Sequence, residues 1–494
     1  MTTIKKKNSK KFVPIILCGG VGGRLWPVSR ESRPKPFIEL SDGESLLKKT
    51  LKRISKLNGI PRIDNKKVVI IVTNSIYYQL CQKELENTNL YGIFILEPFG
   101  KNTAPAILLS SLWIKHFLKD IDIFISFPAD HMIENLTQFK NTINHTLNSI
   151  TKKNALSLIG IKPSSPDSGF GYIKVQKKID YGFTVKKFYE KPSKIKAKEY
   201  IASNNFLWNS GIMCADVNSF ISEIKIISSN LFLQVNKVWN KVLKVNFLDP
   251  CKIVIDDNLF KNCPNVSIDK VFLEKTKNII VILADFSWSD VGSWISFSKL
   301  IKSDKYGNKV IGDGVFYKSK DNIITSDKRF IATIGIEDLV IIDTSDALLV
   351  MKKSFSDHLK VLLSKFNKKQ KNLLKDHITE FRPWGSFTVL YHDSLFKIKS
   401  IIVEPNKSLS LQTHKYRSEH WIVVSGIAEV TKNNLTFKVK TNESTFIPKN
   451  SKHRLKNPHK TKNLFIIEVQ TGSYLGEDDI RRFKDDFGRS LSVF

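Results

Sequence analysis

The segment ILCGGVGGRLWPVSRESRPKPF (16–37) joins an apolar run to a glycine-rich loop that places four glycines within five positions. Four cations follow, namely Arg24, Arg30, Arg33 and Lys35. Backbone N–H groups of a glycine loop can approach a polyphosphate closely, and neighbouring arginines can neutralise it. The patterns G-x-G-x-x-G and G-x-x-x-x-G-K-[ST] are both absent. A plain tight turn after a strand would explain the glycines alone, but the cations favour an anion site.

The sequence around this loop alternates apolar runs with amphipathic ones. Buried strands are predicted at 12–18, 68–73, 92–98 and 122–128, and helices at 45–59 and 103–118. This alternation predicts an α/β fold with a parallel, doubly wound, Rossmann-like sheet. Ligands of such sheets bind beyond the carboxyl ends of the strands, where both the glycine loop and PADH (128–131) fall.

The predicted secondary structure changes along the rest of the chain. Short strands with Asp, Gly and Asn turns are predicted from about 300 to 350, followed by a lysine-rich, helical linker over 351–380. From 381 onward, short β runs separated by polar turns predict an antiparallel barrel or sandwich. We therefore expect three regions, 11–300, 301–380 and 381–494.

The net charge of +31 over 494 residues raises the possibility of nucleic-acid binding. However, 66 of the 78 cations are lysines spread over the whole chain, and no stripe of arginines interleaved with aromatics is present. We therefore predict no nucleic-acid partner, and keep a nucleic-acid-binding protein as a rival. No apolar run approaches the ~20 residues of a membrane span. Five cysteines without paired metal spacing favour reduced thiols and a cytoplasmic location.

The opening loop resembles the signature of sugar nucleotidyltransferases, in particular mannose-1-phosphate guanylyltransferases. Seven further segments match this family in order over about 280 residues. They are ILEPFGKNTAPAI (95–107), FPADHMI (127–133), GFGYIK (169–174), FYEKP (188–192), WNSGI (208–212), SIDKVFLEKT (267–276) and WSDVGSW (288–294).

The resemblance implies that GTP and mannose 1-phosphate react to give GDP-mannose and pyrophosphate. The residues it assigns to the triphosphate are Gly19, Gly20, Gly22 and Arg24, with Lys35 nearby. Asp130 and Asp290 are expected to share a Mg²⁺ that bridges the phosphates. The residues it assigns to the sugar phosphate are Gly171, Glu190, Lys191 and Asn209.

Two positions depart from the family pattern. Pro36 stands where glutamine is usual after the lysine, which removes a side-chain amide from the expected base contacts. Lys101 replaces a usual arginine, so that the charge is kept but the bidentate geometry is lost.

The last quarter of the chain contains histidine and glutamate residues at regular spacing. The pattern H-x4-E-x6-G is met by His414, Glu419 and Gly426, and P-x4-H-x3-N is met by Pro448, His453 and Asn457. This spacing resembles that of cupin metal sites. Gln412 stands where the first histidine is usual, and it points the same way as His414 because residues two apart on a strand share a face. We expect Gln412, His414, Glu419 and His453 to bind Zn²⁺ or another divalent ion.

These segments, with RPWGSF (382–387) and 468–489, resemble the isomerase half of bifunctional mannose-6-phosphate isomerase/mannose-1-phosphate guanylyltransferases. The resemblance implies interconversion of mannose 6-phosphate and fructose 6-phosphate, with Arg417 holding the phosphate or the developing anion. No proton-transfer base is identifiable. Two alternatives stay open: the cupin is only a structural or metal-binding cap, or the nucleotide or hexose specificity differs. A homo-oligomer is compatible with the sequence.

Overall fold

The computed structural model describes residues 10–20, 23–151, 156–245, 249–368 and 370–486. The chain divides into two compact units, one formed by the residues up to Asp343 with Leu349–Lys365, the other by Thr344–Leu348 with the residues from Phe366 onward. No helix within the described ranges is long and apolar enough to cross a bilayer. All five cysteines lie in these ranges, and each is a free thiol.

The first unit begins with an α/β region. Its strands are β1 (Phe12–Cys18), β2 (Arg62–Ile63), β3 (Lys66–Asn74), β4 (Leu90–Glu97), β5 (Ile123–Pro128), β6 (Met132–Ile133), β7 (Leu156–Ile161), β8 (Tyr172–Ile179), β9 (Gly182–Tyr189), β10 (Phe206–Asp216), β11 (Lys252–Val254), β12 (Ile279–Leu283) and β13 (Trp288–Ser289). Its helices are α1 (Leu46–Ser55), α2 (Tyr78–Leu85), α3 (Thr103–Phe117), α4 (Leu136–Ser149), α5 (Lys194–Ala202), α6 (Val217–Ile227), α7 (Ser229–Val245), α8 (Asp257–Lys261) and α9 (Trp294–Ser298).

The central sheet has the order β11-β4-β3-β1-β5-β10-β7-β12-β9-β8, with β2 beside β3. Strands from β11 to β5 pair in parallel, as predicted. The sheet becomes mixed at β10, which runs antiparallel to both β5 and β7. The predicted fold class is therefore confirmed, but the predicted parallel pairing is found only in the half of the sheet from β11 to β5.

Helices cover both faces of this sheet because its central strands are apolar on both sides. Val13 and Ile15 of β1 pack into one core with α3, α6 and α7. Phe12 and Ile16 of the same strand pack into a second core with α1, α2 and α4. A strand buried on both faces reads as a continuous apolar run, which is why FVPIILC was recognisable as β1.

A region of short strands follows, made of β14 (Lys309–Ile311), β15 (Gly314–Tyr317), β16 (Ile323–Ser326), β17 (Ile331–Ile334), β18 (Leu339–Asp343) and β19 (Leu348–Lys352). The pairs β14–β16, β16–β18 and β15–β17 are all parallel, as in successive coils of a β-helix. A 3₁₀ turn (Lys353–His358) and α10 (Leu359–Ser364) come next. The predicted lysine-rich linker is thus helical only in pieces, and Leu349–Lys365 packs with the first unit.

The second unit is β-rich, as predicted. Its elements are α11 (Asn372–Lys375), β20 (Thr379–Arg382), β21 (Gly385–His392), β22 (Phe396–Val403), β23 (Leu411–His414), β24 (Arg417–Ser425), β25 (Ile427–Lys432), β26 (Leu435–Lys440), β27 (Ser444–Ile447), β28 (His453–Lys456), β29 (Leu464–Gly472) and β30 (Ile480–Lys484). They form two sheets, β20-β21-β22-β29-β24-β27 and β26-β25-β28-β23-β30. Side chains from both sheets, including Trp421 and Leu455, share one apolar core.

Candidate functional site

The glycine loop opens a cavity of about 500 Å³ at the carboxyl ends of the parallel strands. Gly19 and Gly20 line it directly after β1, and Gly20 has a φ of 103°, which favours glycine. A Cβ added at either position would meet no atom within 4 Å, so the backbone faces open space. Gly22, the third predicted phosphate-binding glycine, lies outside the described residues.

Lys35 joins the two predicted magnesium ligands. Its Nζ lies 2.8 Å from Asp130 Oδ2, and it also donates to the backbone carbonyl of Asp290. Burial raises the pKa of Asp290, the charge of Lys35 opposes this, and the charge of Asp130 adds to the rise. The structure therefore brings Lys35, Asp130 and Asp290 to one place.

The backbone around Asp290 is held in an unusual conformation. Val291, the next residue, has a φ of 49°, although β-branched residues rarely enter this region. The N–H of Gly292 donates to Asp290 Oδ1 at 3.0 Å. Such strained positions persist where the surroundings fix them and cluster at functional sites, so the conformation fixes where the Asp290 carboxylate points.

Carboxylate oxygens are the ligands that Mg²⁺ favours, so the chemistry of this pair suits the ion. The charge of Asp130 raises the pKa of Asp290, which means that the two carboxylates repel each other. A divalent cation near both would remove this repulsion. The residues present therefore fit the predicted ion.

Arg24 is exposed and lies on the 3₁₀ turn Gly23–Leu25, next to the glycine loop. A Cβ on Gly169 would stand 4.0 Å from Arg24 Nη1, so the guanidinium runs beside the segment GFGYIK. The other two loop arginines are structural. Arg30 is fully buried and donates to the Pro27 carbonyl (3.1 Å), while Arg33 donates to the Phe37 carbonyl (3.1 Å).

The four predicted sugar-phosphate residues meet at the ends of β8, β9 and β10. A Cβ on Gly171 would come within 3.0 Å of Glu190 Oε2 and 3.4 Å of Asn209 Cβ, so glycine is required there. Lys191 Nζ pairs with Glu190 Oε1 at 3.0 Å, and Lys191 has a φ of 45°. All four predicted residues are therefore neighbours.

Asp269 was missed in the sequence, although it lies in the matched segment SIDKVFLEKT. It begins the π-helical turn Asp269–Leu273, lines the cavity and accepts from Asn209 Nδ2 at 3.0 Å. Burial, followed by the charge of Glu190, raises its pKa to about 7. A π turn at a site often marks function, but nothing in the sequence distinguishes this aspartate from a helix cap.

Glu97, at the end of β4, was also missed. Its side chain is buried and lines the cavity, and Oε1 has no hydrogen-bond partner among the described residues. Burial raises its pKa to about 8. An unpaired buried carboxyl is costly, so a ligand that supplies donors would be favoured here.

The second unit contains a separate cluster, in which His414, Glu419 and His453 are all buried and their ligand atoms converge. His414 Nε2 lies 3.1 Å from Glu419 Oε1, and His453 Nε2 lies 3.6 Å from Glu419 Oε2. Burial alone would raise the pKa of Glu419, but the hydrogen bond and charge of His414, with the charges of His453 and Arg417, hold it well below its usual value. Three of the four predicted ligands are therefore assembled.

Both histidines are oriented for metal binding through Nε2. Nδ1 of His414 lies 3.2 Å from the Asp479 carbonyl, and Nδ1 of His453 lies 2.9 Å from the Ser451 carbonyl. A carbonyl at Nδ1 holds the proton of that nitrogen, so that Nε2 is the nitrogen that would bind a metal in place of its own proton. His453 Nε2 has no hydrogen-bond partner among the described residues. This donor set fits Zn²⁺ or a similar divalent ion.

Gln412 and Arg417 complete the predicted set in different ways. Gln412 Nε2 lies 3.4 Å from His414 Nε2, and Gln412 Oε1 accepts from Ser410, so the amide is adjacent to the cluster. Arg417 is buried; its Nε donates to Glu419 Oε1 (3.2 Å) and its Nη1 to the Gly476 carbonyl (2.7 Å). Arg417 therefore orients a proposed metal ligand as well as lining the pocket.

The pocket beside Arg417 and Glu419 is also lined by ionisable residues that sequence analysis did not single out. They are Arg382, Lys399, Glu468, Glu477 and Arg482. Lys399 is buried and donates to Glu477 Oε1 at 2.5 Å. These residues are widely spaced along the sequence, so that only the pairing of strands brings them together.

Comparison with known families matches nearly the whole chain in three parts. The model described as nucleotidyl transferase matches residues 13–306, and the MannoseP isomerase/GMP-like beta-helix domain matches 312–365. The mannose-6-phosphate isomerase C-terminal model matches residues 369–485.

Relatives of known name match over their full length. A mannose-1-phosphate guanylyltransferase of Salmonella muenchen is 39% identical over 97% of this chain and 99% of its own. The alginate biosynthesis protein AlgA of Pseudomonas aeruginosa is 35% identical over 97% and 98%. A solved structure from Thermus thermophilus, named mannose-1-phosphate geranyltransferase, superposes with a TM-score of 0.62 at 24% identity, over 72% of this chain and 99% of that one, and supports the fold. The chain belongs to the mannose-1-phosphate guanylyltransferase family of nucleotidyl transferases, in the group that carries a mannose-6-phosphate isomerase C-terminal region.

Proposed function

We propose that the first unit transfers GMP from GTP to mannose 1-phosphate and releases pyrophosphate. The observation that carries this proposal is the Lys35–Asp130–Asp290 arrangement beside the glycine loop. The backbone of Gly19 and Gly20 lines one part of the cavity, and Asn209 lines another. The cavity could therefore hold a nucleotide at the glycine loop and a sugar beside Asn209.

The reaction needs positioning and charge neutralisation rather than a covalent group on the protein. An oxygen of the sugar phosphate attacks the α-phosphorus, and the bond between that phosphorus and the α–β bridging oxygen breaks. Gly19 and Gly20 present backbone to the triphosphate, and Arg24 neutralises it at the cavity mouth. Lys191 holds the sugar phosphate, and Glu190 and Asn209 bind sugar hydroxyls.

Asp130 and Asp290 are the residues that would hold Mg²⁺. The ion would supply charge stabilisation at the phosphates. Lys35, paired with Asp130 in this structure, neutralises the same acidic pair and lies within reach of a phosphate.

We propose that Glu97 reads the guanine base. Guanine presents two adjacent donors, N1–H and the N2 amino group. Their hydrogen bonds would favour the ionised form of Glu97, whose pKa burial raises to about 8 in the free chain, and the resulting carboxylate could accept from both. Glu97 lines the cavity, and its buried carboxyl has an oxygen, Oε1, without a hydrogen-bond partner among the described residues. Adenine has no such pair of donors, so this contact would favour GTP. It would also reduce the dependence of base recognition on the amide lost at Pro36.

We propose that the second unit interconverts mannose 6-phosphate and fructose 6-phosphate at the His414–Glu419–His453 cluster. These three residues would hold a divalent ion, Zn²⁺ or a similar metal, which would supply stabilisation of negative charge on the sugar oxygens. Gln412 would add an oxygen ligand if its amide turned over so that Oε1, rather than Nε2, faced the cluster, and Arg417 would hold Glu419 in place.

Glu477 is our proposed proton acceptor for the isomerisation. It lines the pocket, and its side chain is 37% exposed, which lets it reach a bound sugar. Burial alone would raise its pKa, but the charge and hydrogen bond of Lys399 outweigh this and lower the pKa of Glu477. The carboxylate is therefore ionised near neutral pH and able to accept a proton.

A panel of substrates tests both proposals on the full chain. GTP, ATP, CTP and UTP are each assayed with mannose 1-phosphate and with glucose 1-phosphate, and mannose 6-phosphate isomerisation is followed separately. GDP-mannose as the main product supports the first proposal, and another nucleotide sugar would refute its specificity. Metal binding without isomerisation would indicate that the second unit is only a structural or metal-binding cap.

We also propose a cytoplasmic location, which the five free thiols support.

A further inference from the structure

The helix α10 lies after the β-helix strands, outside the 13–306 range matched by the nucleotidyl transferase model, yet it packs in the first unit. It contacts the 3₁₀ turn Gly23–Leu25, which carries Arg24. Leu359, its first residue, is buried and anchors it. The neighbouring residue Lys360 is exposed. The helix therefore presents a cation beside the mouth of the nucleotide cavity.

The packing of α10 brings Lys360 to the turn that carries Arg24, and the charges of Arg24 and Lys191 both act on Lys360. We name these three residues the cation trio. The charge of Arg24, followed by partial burial and the charge of Lys191, lowers the pKa of Lys360. Neither Arg24 nor Lys360 has an ion-pair or hydrogen-bond partner among the described residues. Lys191 pairs with Glu190 at 3.0 Å.

Like charges held together repel one another, and only Lys191 of the three has an acidic partner within the described ranges, so an anion placed beside Arg24 and Lys360 would reduce that repulsion. The trio joins the residue proposed for the triphosphate to the residue proposed for the sugar phosphate. The anion that fits best is therefore one that carries more than one phosphate group. Binding of an anion at Lys360 would cost little conformational entropy in α10, because the buried side chain of Leu359 already holds the helix on the glycine-loop turn.

We propose that Lys360 binds the two outer phosphates of the nucleotide, which leave as pyrophosphate, together with Arg24. This inference rests on the proposed transferase function. It makes the region after residue 306 part of the nucleotide site. The side chain that binds the leaving group thus comes from a segment outside residues 13–306, the range that the nucleotidyl transferase model matches.

The test is the binding of inorganic pyrophosphate to the full chain in the presence of Mg²⁺, measured by titration calorimetry. Lys360→Ala is expected to raise the dissociation constant about ten-fold, since a hydrogen bond to a charged group is lost. Lys360→Arg should restore most of the affinity. Lys365→Ala is the matched control: it removes the same charge from the residue that follows α10, and it should change the constant less than about two-fold, since an exposed charge farther from the ligand is largely screened.

Equal dissociation constants for the wild type and Lys360→Ala, or equal losses in Lys360→Ala and Lys365→Ala, would overturn the inference. Lys360→Gln, with its unfolding midpoint measured, serves if the alanine variant does not fold. The outcome is distinct from that of the proposed function. Lys360-dependent pyrophosphate binding by a chain that makes no nucleotide sugar would refute the transferase and keep the site, whereas GDP-mannose synthesis with Lys360-independent pyrophosphate binding would do the reverse.

Discussion

Lys35 Nζ lies 2.8 Å from Asp130 Oδ2 and donates to the carbonyl of Asp290, so that one ammonium group joins residues from three distant segments. Lys35 follows the glycine loop, Asp130 follows β5 and Asp290 follows β13. Asp130 therefore stands at the carboxyl end of a strand of the central sheet, where a sheet of this kind presents its ligand, and Asp290 joins it from the separate two-stranded sheet β13-β6.

Removing the Lys35 charge should disable the transferase alone. Lys35→Met leaves the two carboxylates without their counter-charge and the phosphates without a nearby cation. We expect kcat/KM for GDP-mannose formation to fall about 100-fold, the size of effect seen when one charge-stabilising group is lost. Pyrophosphate release is the measurement. Lys52→Met, on the exposed side of α1, is the control, and an equal fall in both variants would refute the role of Lys35.

Substituting Glu97 should weaken the choice of base. A bidentate contact to a base edge contributes about 1–3 kcal/mol of discrimination. The wild type should therefore prefer GTP to ITP, which lacks the N2 amino group, and Glu97→Gln should narrow that preference about ten-fold. Competition between the two nucleotides measures it. Glu86→Gln, an exposed glutamate in the same region, should keep the wild-type ratio, and an unchanged ratio in Glu97→Gln would exclude the contact.

The same residue should make stability depend on pH. Burial raises the pKa of Glu97 from 4.5 to about 8, so that between these values the folded chain keeps a proton that the unfolded chain has lost. The free energy of unfolding of the first unit should therefore fall as pH rises through this window, by about 1.4 kcal/mol per unit from this group. Glu97→Gln removes that contribution. Its unfolding midpoint should exceed that of the wild type at about pH 8.5 and match it at about pH 4, below the unfolded pKa, and a constant difference would contradict the burial effect.

The isomerase metal should depend on His414. His414→Ala removes a ligand whose Nδ1 is already held by a carbonyl, so bound metal should fall at least about ten-fold and isomerase activity with it. Metal content is measured by elemental analysis after dialysis. His420→Ala, on the exposed face of β24 beside the ligand Glu419, should retain both. Transferase activity should survive in each variant, and its loss in His414→Ala would show that the two activities are not separable.

Periodicity and motif position predicted much of the fold, and they singled out several residues that the structure brings together in the two candidate sites. FVPIILC matched β1 to the residue, because a strand buried on both faces leaves an uninterrupted apolar run. The spacing of His414 and His453 identified the cluster in the second unit, because cupin ligands stand at fixed intervals along paired strands.

Residues whose roles depend on long-range packing escaped sequence analysis. Glu97 ends an ordinary strand, and only the cavity beside it distinguishes it from a surface glutamate. Lys360 lies in a lysine-rich segment interpreted as a linker, and its place beside Arg24 follows from the packing of α10 on the glycine-loop turn. The antiparallel orientation of β10 likewise depends on pairing that local periodicity does not encode.

The most direct test of the account is the fate of the α-phosphate. The full chain is incubated with Mg²⁺, mannose 1-phosphate and GTP carrying ³²P at either the α or the γ position. We predict that the α label appears in GDP-mannose and the γ label in pyrophosphate, and that Asp130→Asn stops both transfers. Recovery of the α label only in free GMP, GDP or GTP would contradict the account.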